Sequence, residues 1–216
     1  MVIPREPFDK AQGYSHERSG SIKTHHGEQG RNRRVGLRRD YTRAPQMTKA
    51  YLLGVLHDAT VRKNTYRIAT QNYKFSLMLK QGILDLGRKA WIYKEGRNRN
   101  LWIVEFSKSL LNETKIISKQ EKRDFIRGFF DAEGGIAKSP KVRFYIYFCQ
   151  KDLKVLQDIK RYLSTFGIKT GRIHNPSKMV DPDYWRFYVS SNSYRDFAIK
   201  IGSNHPEKQL LLRMKI

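Results

Sequence analysis

At 216 residues the chain has room for one large domain or two small ones sharing a core, and 39% hydrophobic with 12% aromatic residues is enough to pack one. The 43 Lys and Arg residues against 20 Asp and Glu leave a formal net charge of +23, which repels itself in a compact fold unless a polyanion covers it; nucleic acid is the ordinary partner. No apolar run nears the roughly 20 residues that span a bilayer, the start MVIPREPFDK lacks a secretory apolar core, and Cys149 has no second cysteine to pair with, so a cytoplasmic protein away from membranes is expected.

Residues 1–46 are rich in Gly, Arg, Ser and His without a sustained period, which predicts either a solvated basic arm or an arm laid along DNA backbone. His25 and His26 are adjacent but have no third ligand nearby and are left out of the site. After Pro45 the pattern becomes regular. MTKAYLLGVLHDA is an apolar helix ending at Asp58 or Ala59, TVRKNTYRIATQ alternates as strands do, and YKFSLMLKQGILDLG returns to helical spacing before the Gly87 stop. KAWIYKEGRNRNLWIVEFS reads as two strands around a polar turn, and SKSLLNE as a short closing helix.

The same order then returns. SKQEKRDFIRGFFDAEGG opens with Ser118 and Glu121 in capping-box spacing and continues as an apolar helix. GIAKSPKVRFYIYFCQ makes two strands around Pro140, KDLKVLQDIKRYLSTFG an amphipathic helix with a Gly167 stop, GRIHN and YWRFYVSS two strands, and NSYRDFAIKIG the final helix. Within VRFYIYFC, Cys149 is expected to be a small buried hydrophobe rather than a nucleophile. The expected class is α+β: two pseudo-symmetric αββαββα repeats, 47–115 and 116–216, set 75 residues apart from Asp58 to Glu133.

YLLGVLHDA and FIRGFFDAEGG carry the chemistry. Each is a hydrophobic helix with an internal glycine, ending in an acid beside small residues. Ala50 with Gly54, and Gly128 with Ala132, are four apart on one helical face, a spacing that lets two helix backbones approach closely. If these helices pack together, the acids at their C-terminal ends meet each other and the negative end of each helix dipole. Unless they are protonated, something positive must then join them. Oxygen donors with open positions suit Mg²⁺, or another divalent ion such as Mn²⁺, completed by substrate phosphates.

These two segments resemble the LAGLIDADG motifs of homing endonucleases, in particular the monomeric, intron- or intein-encoded kind with two motifs in one chain; the resemblance covers about residues 47–216. FIRGFFDAEGG places Glu133 on the family's metal-binding acid. The first motif differs: glycine and acid are five apart at Gly128 and Glu133 but four apart at Gly54 and Asp58, so the metal position is Asp58 when aligned on DATVRK and Ala59, which cannot bind metal, when aligned on the glycine; Asp58 is favoured because no other acid is near. The resemblance implies two four-stranded antiparallel sheets forming a saddle on double-stranded DNA, with both strands cut across the minor groove. It also implies polar residues near the scissile phosphates, at places occupied here by Gln71 with Asn72 and by Gln150 with Lys151.

The strands would supply the reading surface. In VRFYIYFCQ, Val142, Phe144, Ile146 and Phe148 would face the covering helices, leaving Arg143, Tyr145 and Tyr147 for DNA. Arg67 with Gln71, then Lys89, Trp91 and Tyr93, then Arg172 and His174, then Tyr184, Arg186 and Tyr188 share one parity, and the tip RNRN carries Arg97 and Arg99. Arg reads guanine and Gln or Asn reads adenine in the major groove, so the mix suits a long, asymmetric duplex site bound by a monomer. The competing readings are a maturase of the same fold that binds host intron RNA, and a DNA-binding regulator without metals.

Overall fold

The first described helix starts at a cap its sequence supplies: the Thr48 hydroxyl accepts from the Tyr51 amide, and α1 (Lys49–Val55) follows. The structure is a computed structural model that describes residues 46–139 and 141–214, all within the compact unit Tyr41–Ile216. Apart from Gln46, the arm expected over 1–46, with His25 and His26, lies outside the described residues. A 3-10 turn, Leu56–Asp58, tightens the end of α1 before β1 (Ala59–Val61) begins. Then come β2 (Thr65–Thr70), α2 (Tyr73–Asp85), β3 (Ala90–Lys94) and β4 (Trp102–Ser107), with a 3-10 turn, Lys108–Leu111, where a short helix was expected. All pairings are antiparallel, in the order β1-β2-β4-β3.

The second half opens with α3 (Lys119–Glu133), and its capping box is formed: Ser118 accepts from the Glu121 amide while Glu121 accepts from the Ser118 amide. β5 (Gly134–Ile136), β6 (Ile146–Gln150), α4 (Leu153–Ser164), β7 (Trp185–Tyr188) and α5 (Tyr194–Lys200) follow, and the strands form an antiparallel sheet β5-β6-β7. The architecture is α+β, two antiparallel sheets backed by helices.

Three expectations need correction. The second sheet has three strands, not four: the segment around GRIHN pairs with β7 and the adjoining Val189 through the isolated bridges Thr170–Val189 and His174–Arg186 rather than as a strand. Those bridges enclose four steps on the edge segment and three on the facing one, and the Gly171 amide still donates to the Tyr188 carbonyl, so one extra residue bulges out at Arg172–Ile173 and interrupts the ladder. NSYRDFAIKIG is not the last helix either, since α6 (Pro206–Met214) follows it. Val142 is 49% exposed, because β6 does not begin until Ile146.

Each half has its own core. Leu52, Val55, Ile68, Leu79, Val104 and Phe106 fill the first, and Ile126, Phe130, Ile146, Phe148, Leu156 and Phe187 the second. Between them α1 crosses α3 with almost no separation: a Cβ on Gly128 would strike the Tyr51 carbonyl oxygen, and one on Gly54 would strike that of Phe125 and lie 2.6 Å from the Phe129 nitrogen. Ala50 is buried, and Ala132 packs against the first core from the second motif. No described helix is long and apolar enough to cross a membrane.

Candidate active site

The glycine crossing fixes where the two motif helices end. Asp58 closes the 3-10 turn and Glu133 closes α3; the next residues, Ala59 and Gly134, are the first of β1 and β5 and pair with Ile68 and Phe148. Helix geometry accounts for the unequal spacing. Five α-helical steps from Gly128 advance about 7.5 Å, and one α step plus three 3-10 steps from Gly54 also advance about 7.5 Å. The tightened turn thus absorbs the missing residue and delivers Asp58 to the same helix-to-strand junction as Glu133. Ala59 is in the strand and packs on the first core.

Glu133 is half-buried, and its pKa is pushed from 4.5 up to about 7, first by burial and then by the charge of Asp58. Asp58 lies at the exposed rim, where the protein crowded against it still raises its pKa and Lys208 opposes the rise. Gln150 Nε2 donates to Glu133 Oε1 at 3.0 Å and to the His57 carbonyl at 3.4 Å, tying the second sheet to the end of the first motif. His57 itself packs on Phe125 and Phe129 of α3, at ring separations of 5.6 and 5.0 Å. Gln71 shares with Asp58 a cleft of about 420 Å³ whose lining includes Asn72, Asn100, Lys138, His205 and Lys208.

The Lys151 side chain is exposed and pairs with Asp181 at 3.3 Å, while its amide donates to Gln150 Oε1 at 2.7 Å. Cys149 is half-buried rather than buried, its thiol donates to the Glu133 carbonyl at 3.2 Å, and burial raises its pKa, which makes it a poor nucleophile.

Sequence reasoning missed two features. Asp131, in the middle of the second motif, is buried and accepts from Tyr51 Oη at 2.7 Å, from the Asn204 amide at 2.9 Å and from the Ser203 hydroxyl. Lys208 on α6 brings a nearly buried ammonium to the end of α3, and burial lowers its pKa to about 8. A signal for α6 was present in the sequence: Pro206 at the first helical position with Glu207 in the first turn, ahead of Leu210, Leu211 and Leu212.

On the first sheet, Arg67, Trp91 and Tyr93 lie on one parity, and Lys89 immediately precedes β3. Arg67 is held there, donating to Tyr93 Oη at 3.0 Å and to Glu95 at 3.2 Å, while Tyr93 donates to Glu105 at 2.6 Å. Arg97 and Arg99 are exposed in the β3–β4 turn, beyond Gly96. On the second sheet Arg186 donates to Tyr184 Oη at 2.8 Å and sits 4.7 Å above the Tyr147 ring; Tyr145, Tyr188 and His174 complete an aromatic cluster, with Arg143 and Arg172 exposed nearby in sequence.

The raised pKa of Glu133 has a consequence for stability. The folded protein favours the protonated acid, so this contribution is fully present below about 4.5 and is lost as pH rises through about 7. His205, lowered to about 4 by burial, acts in the opposite sense as pH falls below its ordinary 6.5. The Glu133 effect is therefore expected as a difference: in metal-free thermal unfolding from about pH 5 to about pH 8, wild type should lose stability relative to Glu133→Gln.

Residues 120–202 match the family described as LAGLIDADG-like domain. The homing endonuclease I-DmoI, in its complex with DNA and Mn, superposes with a TM-score of 0.53 at 21% identity, over 73% of this chain and 97% of that one. The N-terminal LAGLIDADG domain of DUF199/WhiA superposes with a TM-score of 0.54 at 13% identity, over 76% of this chain and 83% of the other. This chain has the LAGLIDADG fold. The "Uncharacterized protein MJ0398" of Methanocaldococcus jannaschii is 29% identical over 196 residues, which cover 77% of this chain and 70% of the relative. In LAGLIDADG terms, α1 and α3 are the two motif helices. The family match contains nearly all of the second and none of the first.

Proposed function

We propose that this LAGLIDADG protein is a site-specific, metal-dependent endonuclease acting on double-stranded DNA in the cytoplasm, as a monomer on a long asymmetric site of the kind used in intron homing. The observation that supports this most is the pairing of Asp58 and Glu133 at adjacent helix ends, each immediately before the first strand of a sheet with basic and aromatic residues on one parity. Repeats 47–115 and 116–216 would each give one carboxylate and one reading surface.

The donor set fits a hard divalent cation such as Mg²⁺ or Mn²⁺. Two carboxylates, one raising the other's pKa, form a site that a cation relieves. Among the described residues no three His, Cys, Asp or Glu side chains gather into a metal cluster, so phosphate and water oxygens would complete the coordination. Asp58 and Glu133 would hold the ions, which when bound stabilise charge on the attacking and leaving oxygens of phosphodiester hydrolysis. Gln150 orients Glu133 through its amide, and Gln71, which lines the same cleft as Asp58, would hydrogen-bond water near a phosphate. The aromatic and Arg side chains of the two sheets would hold and read the duplex.

The test is incubation with Mg²⁺ and a randomised library of duplexes, with sequencing of cut ends and sedimentation of the selected complex. One protein per duplex and double-strand cuts at a non-palindromic site are expected. Selected binding without any cut would replace the nuclease by a DNA-binding regulator, and preference for structured RNA would replace it by a maturase. Binding should also depend steeply on salt: with about eight phosphate contacts, affinity should fall roughly a thousandfold or more between about 50 and about 200 mM. A flat salt titration would contradict a phosphate-tracking surface.

A further inference from the structure

A helix C-terminus exposes unpaired carbonyls and the negative end of the dipole, so it is an unfavourable place to hold a carboxylate. At the end of α3 one side chain offsets this. Lys208 Nζ donates to the Phe130 carbonyl at 2.7 Å, to that of Asp131 at 2.9 Å and to that of Gly134 at 2.7 Å. These bonds use all three ammonium protons, which leaves none for a phosphate. The bonded carbonyls bracket Glu133 on both sides in sequence.

The segment that carries Lys208 is itself anchored on both halves. Glu207 accepts from Asn72 Nδ2 at 3.0 Å and pairs with Lys138 at 3.5 Å, so it joins the first half to the second. The His205 ring lies 4.7 Å from that of Phe75 in α2, and Leu212 is buried in the second core. Ser203 and Asn204 hold Asp131, whose third partner is Tyr51 of α1. The family match ends at residue 202, one position before this segment begins.

We propose that residues 203–212 form a strap across the two halves, and that Lys208 is a positioning residue that secures the end of α3 and thereby holds Glu133 opposite Asp58. The proposal deepens the endonuclease reading and rests on it. Lys208→Met keeps the length of the stem and removes the donors; Lys208→Arg keeps charge and donors. Hydrogen-exchange mass spectrometry should show peptides spanning the last turn of α3 exchanging about tenfold faster in Lys208→Met, with α2 peptides unchanged. On DNA, kcat should fall about a hundredfold, the scale of misplacing a catalytic group by about 1 Å, while KM stays within about twofold and Lys208→Arg recovers most of the loss.

If Lys208→Met does not fold, Lys208→Gln, which retains two donors without the charge, is read in the same way. Wild-type exchange in the folded variant overturns the strap. Faster exchange with unchanged kcat overturns the positioning role. If the wild type cuts no DNA, the endonuclease reading fails, and the exchange measurement alone decides whether Lys208 secures the helix end.

Discussion

Glu133→Gln should leave binding of the target duplex intact and reduce double-strand cleavage by at least about a thousandfold. The amide is nearly isosteric, and its oxygen can still accept from Gln150 Nε2, so the local hydrogen bond at 3.0 Å survives. What is lost is the negative charge that a divalent cation requires. The loss should come with a gain elsewhere: because burial and Asp58 make the charged form of Glu133 costly, the metal-free variant should be at least as stable as wild type at pH above about 7. Asp58→Asn should act in the same direction, either stopping cleavage or leaving a nick in one strand. Gel separation of nicked and linear plasmid distinguishes these outcomes. Full cleavage by either variant would remove that residue from the site.

The second large effect is on folding. Gly128→Ala places a methyl group against the Tyr51 carbonyl and close to the Val55 nitrogen, both of them backbone atoms of the opposing helix. A side chain in the way can rotate, but a helix backbone can only move as a body. The cost should reach about 3 kcal/mol or more, which lowers the midpoint of thermal unfolding by about 6–12 °C. Gly171→Ala is the control, since its added carbon meets nothing nearer than the Tyr188 oxygen at 3.7 Å. Calorimetry in metal-free buffer checks both; equal midpoints for Gly128→Ala and wild type would mean that the helices do not cross at this glycine.

Local signals were legible in the chain because their partners are close in sequence. Ser118 and Glu121 form their capping box three residues apart, Gly87 and Gly167 stop helices in the left-handed conformation at φ of +79° and +72°, and Ile146 and Phe148 alternate inward as strand residues do. The glycine-to-acid spacing likewise exposed both motif helices. What stayed hidden depends on distance or on backbone detail. The tightening of Leu56–Asp58 changes the rise per residue without changing any residue type, so Asp58 could be favoured over Ala59 only as the one acid nearby, not from the spacing. The partners of Arg67, Glu95 and Tyr93, lie 28 and 26 residues away, and whether an arginine on a sheet face is free or engaged is set by register across strands. The bulge at the edge of the second sheet is one unpaired residue, visible only once both bridges are placed.

The segment from Ser203 to Leu212 also carries a consequence for how the molecule is made. A chain emerging from the ribosome presents the first carboxylate early and the second some 75 residues later, yet the lysine that closes the end of the second motif helix is synthesised 75 residues later still. Domains tend to fold as they emerge, N-terminal parts first. A nascent or truncated product that stops short of Ser203 would hold both acids but lack the contacts of Lys208, Glu207 and Ser203 that brace them. On the proposed reading, the competent arrangement would be reserved for chains translated past this segment, and incomplete products of a DNA-cutting enzyme would be released without it.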